Sequence, residues 1–139
     1  MRDMSIRKTT AILFLAALVS WGIGFIFSNA ISFGLCMHDQ YSCRDVFNNI
    51  GDPLFYSMPA LALIFLILLF TPQAFLAWKK FAIWFVPLAA LLFAFYPGPG
   101  GNDLFSPYPE QVFRWVSILY VIISILIIAR GSFRNKPQV

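Results

Sequence analysis

The sequence predicts an all-α integral membrane protein: a four-span antiparallel transmembrane helix bundle with both termini cytoplasmic. Three observations lead there. From Pro53 through Trp78 the chain carries no Asp, Glu, Lys, Arg or His, and Leu54 to Phe70 is apolar almost without interruption. As a helix at ~1.5 Å per residue, that core reaches roughly 25 Å, close to the hydrocarbon thickness of a bilayer. Second, 60% of the 139 residues are hydrophobic and 12% charged, whereas soluble domains carry about a quarter charged residues. Third, the charges are sorted by position, and this sorting sets the topology.

The chain opens on a basic head, with Arg2, Arg7 and Lys8 against Asp3. Thr9 to Met37 then has no ionisable charge, so span one is placed at about 10–34. Ser28-Asn29-Ala30 admits a signal-peptide cleavage reading. An apolar core longer than a usual signal, with further spans behind it, favours a retained helix. Within this span Ala16, Ser20, Gly24, Ser28 and Ser32 recur every fourth residue. Small side chains let helix backbones approach closely in lipid. That ladder is the expected packing face, and through span one a second membrane protein or a second copy of the chain could dock.

A polar loop is expected over 35–52, with Cys36, His38, Asp39, Cys43, Arg44, Asp45 and Asp52. Ser42 could cap a short helix with Val46, Phe47 and Ile50 on its apolar side. Asp52-Pro53 reads as the cap and first residue of span two, placed at 53–71. After Ala62 that span offers only bulky side chains, which makes it the span expected to be most exposed to lipid. Thr71-Pro72 repeats the cap-plus-proline pattern, and Lys79 and Lys80 are bracketed by Trp78 and Trp84, as an interfacial aromatic belt would be. Span three, at 78–96, contains Pro87, and span two contains Pro59. Each should kink its helix unless neighbours compensate. A Pro/Gly-rich loop over 97–110 cannot be helical, and span four is placed at 111–130 before Arg130, Arg134 and Lys136.

The head, the lysine turn and the tail together hold eight of the ten Lys and Arg residues (Arg2, Arg7, Lys8, Lys79, Lys80, Arg130, Arg134, Lys136). The two remaining loops hold five of the six acids (Asp39, Asp45, Asp52, Asp103, Glu110). The positive-inside rule therefore puts the termini in the cytoplasm, with a bacterial inner membrane as the expected location. A net charge of +4 then reflects contacts to anionic headgroups, and no basic stripe suggests nucleic acid.

Cys36 and Cys43, with six residues between them in an extracytoplasmic loop, are expected to form a structural disulfide. The same pair supports a second reading. Four helices and an extracytoplasmic cysteine pair resemble the membrane thiol oxidases of the DsbB and vitamin K epoxide reductase kind. That resemblance would imply a thiol-disulfide or quinone-linked oxidoreductase working through Cys36 and Cys43. Those families carry a CxxC motif and a second cysteine pair, and this chain has neither. His38 and Asp39 beside Cys36 fall short of a credible metal site, and no motif implies a cofactor. Arg114, roughly 24 Å along the helix from Arg130, sits at the outer boundary with Glu110 one turn earlier. Ser117 and Ser124, with Tyr120 alongside, extend a polar seam from that pair. With no catalytic constellation and no charge at mid-depth in spans one to three, the sequence points to a small non-enzymatic accessory or interaction subunit. Small-solute transport is a further alternative.

Overall fold

The computed structural model describes residues 2–96 and 108–134. Within them the chain is all-helical: α1 (Arg2–Ser28), α2 (Tyr41–Phe70), α3 (Phe75–Phe95) and α4 (Pro109–Arg134), with a 3-10 turn over Pro72–Ala74 leading into α3. All four helices are long and apolar enough to cross a membrane. The Pro/Gly loop expected over 97–110, with Asp103, lies outside the described residues up to position 107, as does Lys136.

Local chemistry explains how α1 carries its polar residues and where it ends. Thr9 and Thr10 turn their hydroxyls back to the carbonyls of Ser5 and Ile6, at 3.0 and 2.8 Å, so neither leaves a polar group unpaired on an apolar helix. At the far end the Asn29 side chain donates to the Phe25 carbonyl at 2.9 Å. The chain then reverses at Gly34, the one glycine with positive φ (71°) among the described residues, a conformation that a Cβ would strain. Helix α1 thus stops at Ser28 rather than continuing toward Gly34, and Ser32 lies beyond it.

The larger departure is in α2. The expected short loop helix and span two are one helix of 30 residues, running through Asp52 and Pro53. Asp52 therefore does not cap a helix start. Proline at an interior position removes a donor and frees a carbonyl four residues back. For Pro53 that carbonyl belongs to Asn49, which borders a polar basin, so the helix continues without burying an orphan acceptor.

Packing runs in the order α1, α2, α4, α3. The α1–α2 hairpin is the tightest part. A Cβ built on Gly24 would lie 2.7 Å from the Phe55 nitrogen, and one on Gly51 would lie 2.6 Å from the Ser28 nitrogen. Backbone therefore meets backbone at two points, reciprocally. Phe27 and Phe47 clamp the same seam edge-to-face at 5.1 Å. Helix α4 packs against α2 and against α3, where Tyr120 lies between Phe81 and Phe85, and Phe93 meets Phe113 at 4.7 Å.

The core gathers Ala17, Ile64, Phe65, Leu68, Phe75 and Trp78 with Tyr120 and Ile128. Two expectations change here. Helix α2 is the central helix, with Ile64 and Leu68 fully buried, whereas α3 is largely exposed, with Trp84 and Phe95 about 80% exposed (81% and 80%). Trp78 is not an interfacial belt residue. It is buried and packs edge-to-face on Phe65 at 5.4 Å.

Candidate functional site

At the cysteine-loop end of the bundle the polar residues converge. The Arg114 guanidinium donates to the Tyr56 hydroxyl at 3.3 Å and lies 4.9 Å above the Tyr56 ring centre. The Tyr56 hydroxyl in turn donates to Glu110 at 3.3 Å. The expected Glu110–Arg114 pairing along α4 is thus joined through a tyrosine on α2, which ties the two helices together. One turn before Tyr56, Asp52 accepts a hydrogen bond from the Ser28 hydroxyl at 2.8 Å, tying α2 to the end of α1. Sequence reasoning missed both Tyr56 and the Ser28–Asp52 link, because each joins residues far apart in the chain.

These groups surround a basin of about 630 Å³, whose polar walls include Asp45, Asn48, Asn49, Asp52, Glu110 and Arg114. Directly below it, between α2 and α3 and floored by α4, is an apolar cavity of about 110 Å³. Met58, Leu61, Ala89 and Phe93 line it, with Ser117 and Tyr120 from α4. Phe93 borders both spaces. The polar seam on α4 divides accordingly. Glu110 and Arg114 are exposed at the basin, whereas Ser117 and Ser124 are buried. The hydroxyls of Ser117, Tyr120 and Ser124 and the Trp78 indole nitrogen are buried without a hydrogen-bond partner. Tyr120 lies beside Ser124 and Trp78, so three of these groups are neighbours. In a bilayer such groups are costly unless something pairs with them.

The small-residue ladder is used in part. Gly24 is buried against α2 and Ser28 is spent on Asp52. Ser20 is half-buried, while Ala16 and Ser32 are exposed. A four-residue step advances about 40° beyond a full helical turn, so a long ladder winds off any one face. The buried column runs instead through Thr10, Ala17 and Gly24, at the seven-residue spacing of a left-handed helix pair.

Cys36 and Cys43 are at disulfide-bonding distance, with Cα atoms 6.0 Å apart, and pin the loop to the first turn of α2. Neither lines the apolar cavity. His38 is exposed nearby, and among the described residues no three His, Cys, Asp or Glu side chains are arranged to hold a metal.

A second open space lies at the lysine end. Helices α1 and α3 are separated there by a groove of about 790 Å³, mostly apolar, lined by Thr9 and Leu13 on one side and Leu76, Lys79 and Ile83 on the other. Phe65, Phe75 and Trp78 also line it.

No family model, no curated protein and no solved structure matches the chain.

Proposed function

We propose that this small multi-pass membrane protein is a non-enzymatic interaction subunit that receives a transmembrane helix of another membrane protein in the groove between α1 and α3. One observation carries the reading: the packing order α1, α2, α4, α3 leaves the fourth seam unsealed. In an aqueous protein an apolar groove would collapse, but lipid tails are as apolar as leucine, so only another helix or a lipid closes it. Leu13 and Ile83 would pack against the incoming helix, and Lys79 at the edge suits a partner with an acidic residue near its membrane boundary. The surface differs from the small-residue ladder, because Gly24 is already covered by α2. Charge sorting supports placing this groove in the cytoplasmic leaflet of a bacterial inner membrane.

A photo-crosslinking amino acid at Leu13 or Ile83, in the native membrane, should give adducts of one discrete mass. The same probe at Ile12 or Trp84, which are 67% and 81% exposed, should give lipid adducts alone. Equal adduct patterns at all four positions would show that the groove holds only lipid, and the interaction reading would fall.

A further inference from the structure

The basin and the cavity at the cysteine-loop end adjoin, with Phe93 as a shared wall, and together they make an amphipathic space. Each of three helices passes from one into the other. On α2, Asp45 to Asp52 face the basin and Ser57 to Leu61 the cavity; on α4, Glu110 and Arg114 give way to Val116, Ser117 and Tyr120. On α3 the order is reversed, as an antiparallel helix requires, with Tyr96 and Ala94 above Phe93 and Ala89. From Asp52 to Leu61 is roughly 13 Å along the helix, the reach of a headgroup and the first part of an acyl chain.

We propose that this space binds a single phospholipid whose headgroup carries a primary ammonium. Charge selects the head. Among the described residues, Asp45, Asp52 and Glu110 face the basin against Arg114, leaving two net negative charges that attract an ammonium, while the Arg114 guanidinium has further donors for the phosphate. Shape selects the tail. The cavity is nearly free of polar surface and is comparable to the ~150 Å³ cavity that takes up benzene in an engineered protein core. An independent feature marks the junction. Ser117 is 9% exposed, lines the cavity, and its hydroxyl has no partner. It stands one turn from Arg114 along α4, so with a phosphate at Arg114 an ester carbonyl of the same lipid would accept its proton.

The test uses the purified full-length protein in neutral detergent micelles, read by thermal unfolding during titration with phosphatidylethanolamine, phosphatidylglycerol or free ethanolamine. The expected result is about fivefold tighter apparent binding of the ethanolamine lipid than of the glycerol lipid, the scale of ion pairs at a solvated rim. Free ethanolamine should have no effect at the same concentrations. Glu110→Gln, at an exposed position, should bring the two lipids close to parity. Ala89→Leu, which fills the cavity, should weaken both. Should Ala89→Leu fail to fold, the Glu110→Gln comparison alone decides whether the carboxylate reads the head. Equal affinity for the two lipids, a preference unchanged in Glu110→Gln, or an equal effect of free ethanolamine would each overturn the proposal. None of these outcomes touches the α1–α3 groove, which lies at the other end of the bundle.

Discussion

The two halves of this bundle are held together by different physics. In the α1–α2 hairpin, backbone touches backbone at Gly24 and Gly51, the Ser28 hydroxyl reaches Asp52, and the Cys36–Cys43 pair fixes the connection. In the α3–α4 half, contact is made by large rings around Tyr120, four buried polar atoms have no partner, and the space beside α3 is open toward both α1 and α2. Without a hydrophobic driving force between helices in lipid, close van der Waals contact is what separates a tight pair from a loose one. The hairpin is thus a rigid platform, and α3 is the element with room to accommodate other molecules.

The sharpest way to break that contrast is to place a side chain where the backbones meet. Gly24→Leu must push Phe55 and Leu54 aside, both fixed in α2, and should cost about 3 kcal/mol or more, at the upper end for overpacked cores. Gly22, two residues away, has nothing within 4 Å of a built Cβ, and Gly22→Leu should be nearly neutral. Thermal unfolding in detergent would compare them. Similar losses from both would mean that the hairpin is not held by backbone proximity.

How much of this was legible beforehand follows from the same contrast. Charge-free runs of membrane length identify four helices whatever their neighbours, although α1 ends at Ser28 rather than near Gly34 and α2 begins at Tyr41, well before the expected start at Pro53. Gly24 was also visible as a rung of the small-residue ladder, whereas Gly22, in the same helix, meets nothing. What the sequence concealed was the role of large apolar residues. Leu63 is exposed and Ile64 is fully buried, yet nothing in an uninterrupted aliphatic run tells them apart. The same blindness hid the centrality of α2 and the burial of Trp78. Asp52-Pro53 misled for another reason. Its cap signature is genuine local chemistry, but the Ser28 hydroxyl supplies Asp52 with a tertiary partner, and the polar residues before it continue the helix. The candidate site was half visible: Glu110, Arg114 and Ser117 stand out on α4, whereas Tyr56 joins them only once α2 and α4 are packed.

A smaller effect is expected at the other fastener of the hairpin. A closed loop of eight residues restricts the unfolded chain modestly, so replacing both Cys36 and Cys43 by serine should cost on the order of 2 kcal/mol and leave the fold intact. The measurement also separates the two functional classes. A structural pair should stay oxidised in glutathione buffers near roughly −200 mV, where disulfide-exchange proteins equilibrate. Mixed disulfides trapped on the Cys36→Ser or Cys43→Ser protein would instead establish an oxidoreductase.

The smallest change falls in the loose half, and its sign is what matters. The Tyr120 hydroxyl is buried close to Ser124 and Trp78, but none of the three completes a well-formed hydrogen bond. Removing a buried polar group that has no partner gives up no interaction and removes a desolvation cost. The ring, which packs between Phe81 and Phe85, remains in place. Tyr120→Phe should therefore leave the melting temperature unchanged or raise it slightly, whereas Tyr120→Ala should lower it by the loss of the ring contacts. The comparison bears directly on whether the α3–α4 half is complete as it stands. If Tyr120→Phe is destabilising in detergent, the hydroxyl is paired in solution, α3 sits closer to α4 than the open geometry indicates, and the distinction between a rigid hairpin and an accommodating α3 weakens. If the substitution is neutral in detergent but destabilising in native membrane, the missing partner is a membrane component, and α3 is where it binds.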